Sequence, residues 1–253
     1  MFHKLYLPEG ELAEAVRGFV AVSKLDSPDP AAGGLNRFPA MPFCGLTLIT
    51  EGAVALLDGD GTAAPHWLIF GPRTRPVASS TLAPLRCITA IFHAPAFRLL
   101  TGCEPALLRD RDEAAADWLP AEWQAWPLEL AARAGDPDAQ FAWMTEWLAP
   151  RWEGVRHALQ AQEAGVGPRQ RQRRSRALAG LGPAQLQRLA RIEDALARLR
   201  TGEDTDLAGL AASLGYADQA HFTRETRALT GLPPARLLRA VQEDPDYWAY
   251  RIE

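Results

Sequence analysis

The sequence predicts an α+β protein with a β-rich front and an all-helical back. Short apolar runs separated by tight turns fill residues 44–93, and from about residue 95 the hydrophobic period lengthens to that of a helix. Charge divides the chain in the same way. Residues 1–150 hold 11 Lys/Arg against 18 Asp/Glu, whereas residues 151–253 hold 16 against 13. An acidic front and a basic back suit different partners. The boundaries read from these shifts are 1–95 for a β-rich domain, 96–153 for a helical connector, and 154–253 for a helical domain with a tail.

Within the front, residues 1–24 carry Leu12, Val16, Phe19 and Val20 at the spacing of one helix face, and residues 26–36 (DSPDPAAGGLN) read as a loop. The strands expected next are CGLTLIT, AVALLD, HWLIF and LRCITAIFH, the first beginning as early as Phe38. Glu51-Gly52 and Asp58-Gly59-Asp60-Gly61 supply turns. Short strands with tight turns predict a small barrel or sandwich. In the connector, FRLLTG, PLELAARA and PDAQFAWMTEWLAPRW are helical, and Phe141, Met144, Leu148 and Trp152 share one face. Trp118, Trp123 and Trp126 are expected to pack this region.

Several function classes are disfavoured. No apolar run is long enough to cross a membrane, and the first residues, MFHKLYLPEGELAEAV, lack the apolar core of a secretory signal, so a cytoplasmic location is expected. Cys44, Cys87 and Cys103 are an odd count without a CxxC pair, which predicts buried free thiols rather than disulfides or a zinc finger. His66 and His93 are far apart and form no H-x-H pair, so no metal or other cofactor is expected. GxSxG, Walker A, GxGxxG and HExxH signatures are missing, and the chain is not expected to be an enzyme. A metal-dependent barrel enzyme fused to a regulator is the most distant alternative.

The back half contains an internal repeat. RRSRALAGLGPAQL (Arg173–Leu186) aligns with RETRALTGLPPARL (Arg224–Leu237) at an offset of 51, and Gly165-Val166-Gly167 with Gly215-Tyr216-Ala217 at an offset of 50. Between the copies, Leu186, Leu189, Ile192, Leu196 and Leu199 mark one long helix. In the second copy, Asp206 caps a short helix bearing Leu207, Leu210, Ala211 and Leu214, and Gly215 ends it. Asp218 caps a second helix from Gln219 to about Leu229, which Thr230-Gly231 and Pro233-Pro234 stop. This is a helix-turn-helix. Its second helix shows Gln219, Thr223, Arg224 and Arg227 outward, and Gln and Arg can make paired hydrogen bonds to base edges. His221 is placed against phosphate or a neighbouring helix, and Phe222 inward. In the first copy, Gly165–Ala179 carries Arg169, Arg171, Arg173, Arg174 and Arg176 without an acid.

GYADQAHFTRETRALTGLPPARL resembles the signature of the AraC/XylS family of bacterial regulators, and GVGPRQRQRRSRALAGLGP resembles the family's first helix-turn-helix. The resemblance covers residues 155–240. It implies two recognition helices joined by a long helix and entering successive major-groove segments of double-stranded DNA, about 34 Å apart. It also implies that Arg169, Gln172, Arg173 and Arg176 face DNA from the first unit, and Gln219, His221, Thr223, Arg224 and Arg227 from the second. PEGELAEAVRGFVAV, the β region and HAPAFRLLTGCEPALLRDRDEAAADWL more faintly resemble a cupin-like sensor. That implies a small-molecule effector, dimerisation through the connector, and RNA polymerase as a partner of an activator.

Two departures stand out. Ser175 and Thr226 occupy places where the family has a core aromatic, and Arg171 stands where a Leu is usual. Losing a buried Phe-sized side chain costs about 3–5 kcal/mol unless neighbours fill the space. The alternative function is therefore a protein–protein interaction module whose DNA-binding fold has lost specific readout. The aromatic tail Asp246-Tyr247-Trp248-Ala249-Tyr250 is expected to dock on the body of the protein.

Overall fold

The computed structural model describes residues 2–25, 34–57, 61–163, 167, 169–170, 179–201 and 206–251. Among the described residues the front carries nine strands: β1 (Phe2–Tyr6), β2 (Val16–Ser23), β3 (Leu35–Phe38), β4 (Phe43–Glu51), β5 (Val54–Leu56), β6 (Trp67–Phe70), β7 (Val77–Thr81), β8 (Arg86–His93) and β9 (Asp112–Ala114). They pair antiparallel into a six-stranded sheet, β1-β2-β8-β4-β6-β9, and a three-stranded sheet, β3-β7-β5.

The large sheet is apolar on both faces, and the two-residue side-chain period assigns each face a different neighbour. Phe19, Leu46, Ile88, Ala90 and Phe92 turn to one side, into the main core. Val20, Val22, Thr47, Ile49, Thr89 and Ile91 turn to the other, where the small sheet stands opposite. Gly45 permits a close approach within this sheet, because a Cβ there would lie 2.2 Å from the Phe70 ring.

On the core side lies the connector. Helices α1 (Ala94–Thr101), α2 (Trp126–Ala131) and α3 (Pro137–Glu163) supply Phe97, Trp126, Leu130, Met144, Leu148 and Trp152 to the core. Trp123 and Trp126 are fully buried, 5.1 Å apart, and Trp147 meets both edge-on. The connector tryptophans thus pack the core as expected.

Residues 1–24 differ from their sequence expectation. Val16, Phe19 and Val20 lie in β2 rather than on a helix, and Leu12 sits in a short 3-10 turn before it. The physical reason is double-sided burial. Phe19 and Ala21 face the main core while Val20 and Val22 face the small sheet, so the apolar residues run continuously instead of alternating. Leu35 and Asn36, expected in a loop, begin β3. Polar VASST became β7, the middle strand of the small sheet, without an apolar signature.

The back of the chain is helical. Among the described residues its main helices are α4 (Pro183–Thr201), α5 (Leu207–Ser213), α6 (Gln219–Thr230) and α7 (Pro234–Glu243), followed by a 3-10 segment, Pro245–Tyr250. The expected leucine stripe forms their core, with Leu189, Ile192 and Leu199 of α4 packed on Leu210, Leu214, Phe222 and Leu229. The internal repeat survives in the backbone. Gly180 and Gly231, 51 residues apart, both adopt left-handed φ, +72° and +88°, and Pro183 and Pro234 each open a helix.

Candidate nucleic-acid interface

The second helix-turn-helix is built by caps at defined positions. The Asp206 side chain accepts a hydrogen bond from the Ala208 N–H at 3.0 Å and so starts α5. Gly215, at φ +76°, turns the chain out of that helix. The Asp218 carboxylate then accepts from the His221 N–H at 2.6 Å and starts α6. Gly231 ends α6, its N–H donating to the Arg227 carbonyl.

Gln219, Arg224 and Arg227 are exposed on α6, so the helix presents one amide and two guanidinium groups to solvent. Thr223 and His221 are half-buried. The His221 ring meets Tyr216 edge-on at 5.2 Å, so it packs against its own unit. Phe222 points inward and is fully buried, as expected. Of the first-unit candidates, Arg169 is exposed, whereas Gln172, Arg173 and Arg176 lie outside the described residues.

The orientation of α6 depends on a residue that the sequence reading did not single out. Glu225 is buried on the inner face of the helix. Arg188 Nε donates to its Oε2 at 2.8 Å, Arg191 Nη2 to its Oε1 at 3.0 Å, and the Tyr216 hydroxyl to the same Oε1 at 2.9 Å. Burial pushes the Glu225 carboxyl pKa up, but hydrogen bonds from Arg188, Tyr216 and Arg191 more than offset this, and the net shift is downward. Tyr216 is shifted up, first by burial and then by its bond to Glu225. The carboxylate therefore stays ionised and ties α6 to α4. A signal existed in the repeat: Glu225 aligns with Arg174, a reversal of charge between otherwise similar copies.

Both repeat glycines face the front of the chain, Gly180 the connector and Gly231 the β-rich part. A Cβ on Gly180 would lie 2.7 Å from the Ala106 backbone nitrogen, and one on Gly231 3.8 Å from Pro76. The Ala40 N–H donates to the Leu229 carbonyl at 2.8 Å, near the C-terminal end of α6. The outward face of α6, with Gln219, Arg224 and Arg227, remains open.

Residues 160–240 match the family described as Helix-turn-helix domain. The chain carries an AraC-type helix-turn-helix domain. No curated protein matches the chain in sequence. Among solved structures, the chain is similar to ToxT from Vibrio cholerae at 10% identity, covering 81% of this chain and 96% of that one with a TM-score of 0.36. An unsaturated fatty acid bound wild-type ToxT from Vibrio cholerae gives 8% identity, 81% and 93% coverage, and a TM-score of 0.35. The AraC-like transcriptional activator CuxR gives 12% identity, 99% and 91% coverage, and a TM-score of 0.30. The AraC-type domain is that of DNA-binding transcription regulators. Among the described residues, no helix is long and apolar enough to cross a membrane.

A second feature of the molecule is a cavity of about 270 Å³ between the two sheets. Its wall includes Val20, Ile49, Thr89 and Ile91 from the large sheet and Phe38 and Val77 from the small one. Leu189, Ile192 and Glu193 of α4 close part of it, and Trp248 of the tail also lines it. Cys87 lines the same cavity, and burial pushes its thiol pKa up to about 12, leaving a neutral, unreactive group.

Proposed function

We propose that the chain is a sequence-specific transcription regulator that reads duplex DNA through α6 and answers to a small molecule held in the β-rich part. The observation that carries the first half is the open α6 face, with Gln219, Arg224 and Arg227 standing outward while Glu225 anchors the opposite side. A helix fixed this way can enter the major groove and offer Arg224 to a guanine or Gln219 to an adenine. Thr223, His221, Arg227 and Arg169 are proposed as supporting contacts to phosphate or base. The cavity shared between the β-rich part and α4 supports the second half, because an occupant there would touch both parts of the molecule.

The test is selection of bound sequences from a pool of random duplexes, followed by gel-shift titration. The expected site has two segments about one helical turn apart. Arg224→Ala should weaken binding by about 1–3 kcal/mol, about 5- to 150-fold, and relax the choice at one base pair. Binding should also fall steeply with added salt. Unchanged affinity and selectivity in Arg224→Ala would remove the base-reading role of this helix.

A further inference from the structure

We infer that the cavity between the sheets takes an uncharged, largely hydrocarbon small molecule carrying a hydroxyl or carbonyl group, and that the Arg17–Glu193 pair excludes anions from it. This rests on the proposed role of the β-rich part as an effector site and adds the ligand's chemical class.

The inference follows from how the cavity wall is charged. Among the described residues that line it, four are ionisable with a formal charge: Arg17, Arg73, Asp112 and Glu193. Each is already matched. Arg73 is buried and its Nη2 pairs with Asp112 Oδ1. Arg17 Nη2 lies 3.4 Å from Glu193 Oε1, each side chain retaining about a third of its exposure (38% for both). The wall is therefore neutral, pair by pair. A charged ligand would enter a mostly apolar space with no free counter-charge, and burying an unpaired charge is strongly unfavourable. A carboxylate or sulfonate would have to compete with Glu193 for Arg17 or with Asp112 for Arg73.

The neutral polar positions are also mostly used internally. Asn36 spends its amide on Lys24, Ser79, Thr81 and Trp248. The Thr47 and Thr89 hydroxyls, 2.9 Å apart on neighbouring strands, share one hydrogen bond between them. Two hydroxyls hold two protons, so this pair can still offer one donor and spare lone pairs to a ligand hydroxyl or carbonyl. The remaining wall is aliphatic or aromatic, which favours an apolar body.

The location makes the pair more than a filter. Arg17 is on β2 and Glu193 on α4, so the ion pair spans the β-rich part and the DNA-binding part. An anion that reached Arg17 would compete with Glu193 and weaken that link, whereas a neutral ligand fills the cavity and leaves it intact.

Two fluorescent probes that differ by one sulfonate provide the test: N-phenyl-1-naphthylamine and 8-anilinonaphthalene-1-sulfonate. With the full chain, the neutral probe should bind saturably at one per chain and at least tenfold more tightly than the sulfonate. Glu193→Gln leaves Arg17 uncompensated, so it should raise sulfonate affinity several-fold and leave the neutral probe unchanged. Val77→Trp, with Thr89→Phe as a second choice if the first does not fold, should abolish neutral-probe binding while the melting transition persists. Equal or tighter binding of the sulfonate to the unaltered chain would overturn the ligand class. Undiminished neutral-probe binding in a folded, filled variant would overturn the site. A sulfonate affinity unmoved by Glu193→Gln would overturn the role of the pair. The effector role itself is read separately: neutral-probe binding that leaves the gel-shift affinity unaltered would remove that role while the ligand class stands.

Discussion

Two buried polar knots hold this molecule together, and they solve different problems. One centres on Glu225 and lies wholly within the helical part, where a carboxylate on α6 gathers Arg188 and Arg191 from α4 and Tyr216 from the preceding turn. The other centres on Asn36 and lies between parts. Its amide nitrogen donates to Ser79 and Thr81 on β7, and its oxygen accepts from Lys24 at 2.6 Å and from the Trp248 indole at 2.9 Å. Asn36 thereby uses its full hydrogen-bonding capacity. The charged knot fixes α6 to α4. The amide knot pins the tail to the small sheet, and Asp246 adds a bond to the Leu35 N–H at 3.1 Å. One knot orients the exposed face of α6, and the other ties the C-terminal tail to the sheet that borders the cavity.

The sharpest way to break this comparison is Glu225→Gln. Removing the charge leaves two guanidinium groups facing a neutral amide, and breaking such a buried pair costs about 3–5 kcal/mol. Arg188 and Arg191 keep 43% and 25% exposure, so water recovers part of the loss and the low end, about 3 kcal/mol, is expected. Urea unfolding followed by far-UV circular dichroism measures it. The pH dependence gives an independent check. The Glu225 pKa is depressed below its ordinary value of 4.5, so its stabilisation is present above that value and is lost as pH falls through the lower folded-state value. The gap in stability between the unaltered chain and Glu225→Gln should therefore be full near neutrality and shrink below about pH 4.5. A gap that stays constant down to pH 3 would mean that the carboxylate is not what holds α6.

The amide knot should give less. Trp248→Phe keeps an aromatic ring against Phe38, whose edge-on contact is 5.7 Å, and removes the indole donor together with part of a buried ring. Asn36 still accepts from Lys24, so no polar group is stranded, and the expected cost is about 1 kcal/mol. Its signature should be local: faster proteolytic cleavage around residues 244–251 with little change in the unfolding midpoint. A loss as large as that of Glu225→Gln would mean that the tail, rather than the α4–α6 clamp, dominates the stability of this end.

How much of this the sequence disclosed follows the same division. The second helix-turn-helix was legible residue by residue, because Asp206, Asp218, Gly215 and Gly231 are local signals whose partners lie within four residues. The long helix was legible from its leucine stripe, and β4, β6 and β8 from short apolar runs. The β2 strand was misread because both of its faces are buried, which erases the two-residue alternation. The polar strand β7 was missed because Ser79 and Thr81 serve Asn36 instead of an apolar core. The Asn36 knot and the cavity could not be read in advance, since their members lie up to 212 residues apart, and the Glu225 knot left only the charge reversal against Arg174 as a trace. At the candidate interface, the outward Gln219, Arg224 and Arg227 were visible in the sequence, whereas the buried anchor Glu225 was not.

Thr226 gives the finest test, because sequence and structure imply different magnitudes there. The family resemblance puts a core aromatic at this position, which would make Thr226 the edge of a hole costing about 3–5 kcal/mol. In the fold, Thr226 is buried and its hydroxyl donates to the Phe222 carbonyl at 2.8 Å, one helical turn back, while Thr230 repeats the pattern onto the Thr226 carbonyl at 2.7 Å. The surrounding core is closed by Phe222, Leu229, Leu189 and, from the β-rich part, Ala40. Thr226 is itself 1% exposed, so a larger side chain there has no open surface to grow into. Thr226→Val should then change stability by no more than about 1 kcal/mol, because the Phe222 carbonyl keeps its helical partner and the shape is preserved. Thr226→Phe, which restores the family's side chain, should destabilise by about 1–3 kcal/mol through overpacking. If Thr226→Phe were instead stabilising, a cavity would have to exist beside α6, and the contact between Ala40 and this helix would have to be looser than its 2.8 Å hydrogen bond to Leu229 indicates.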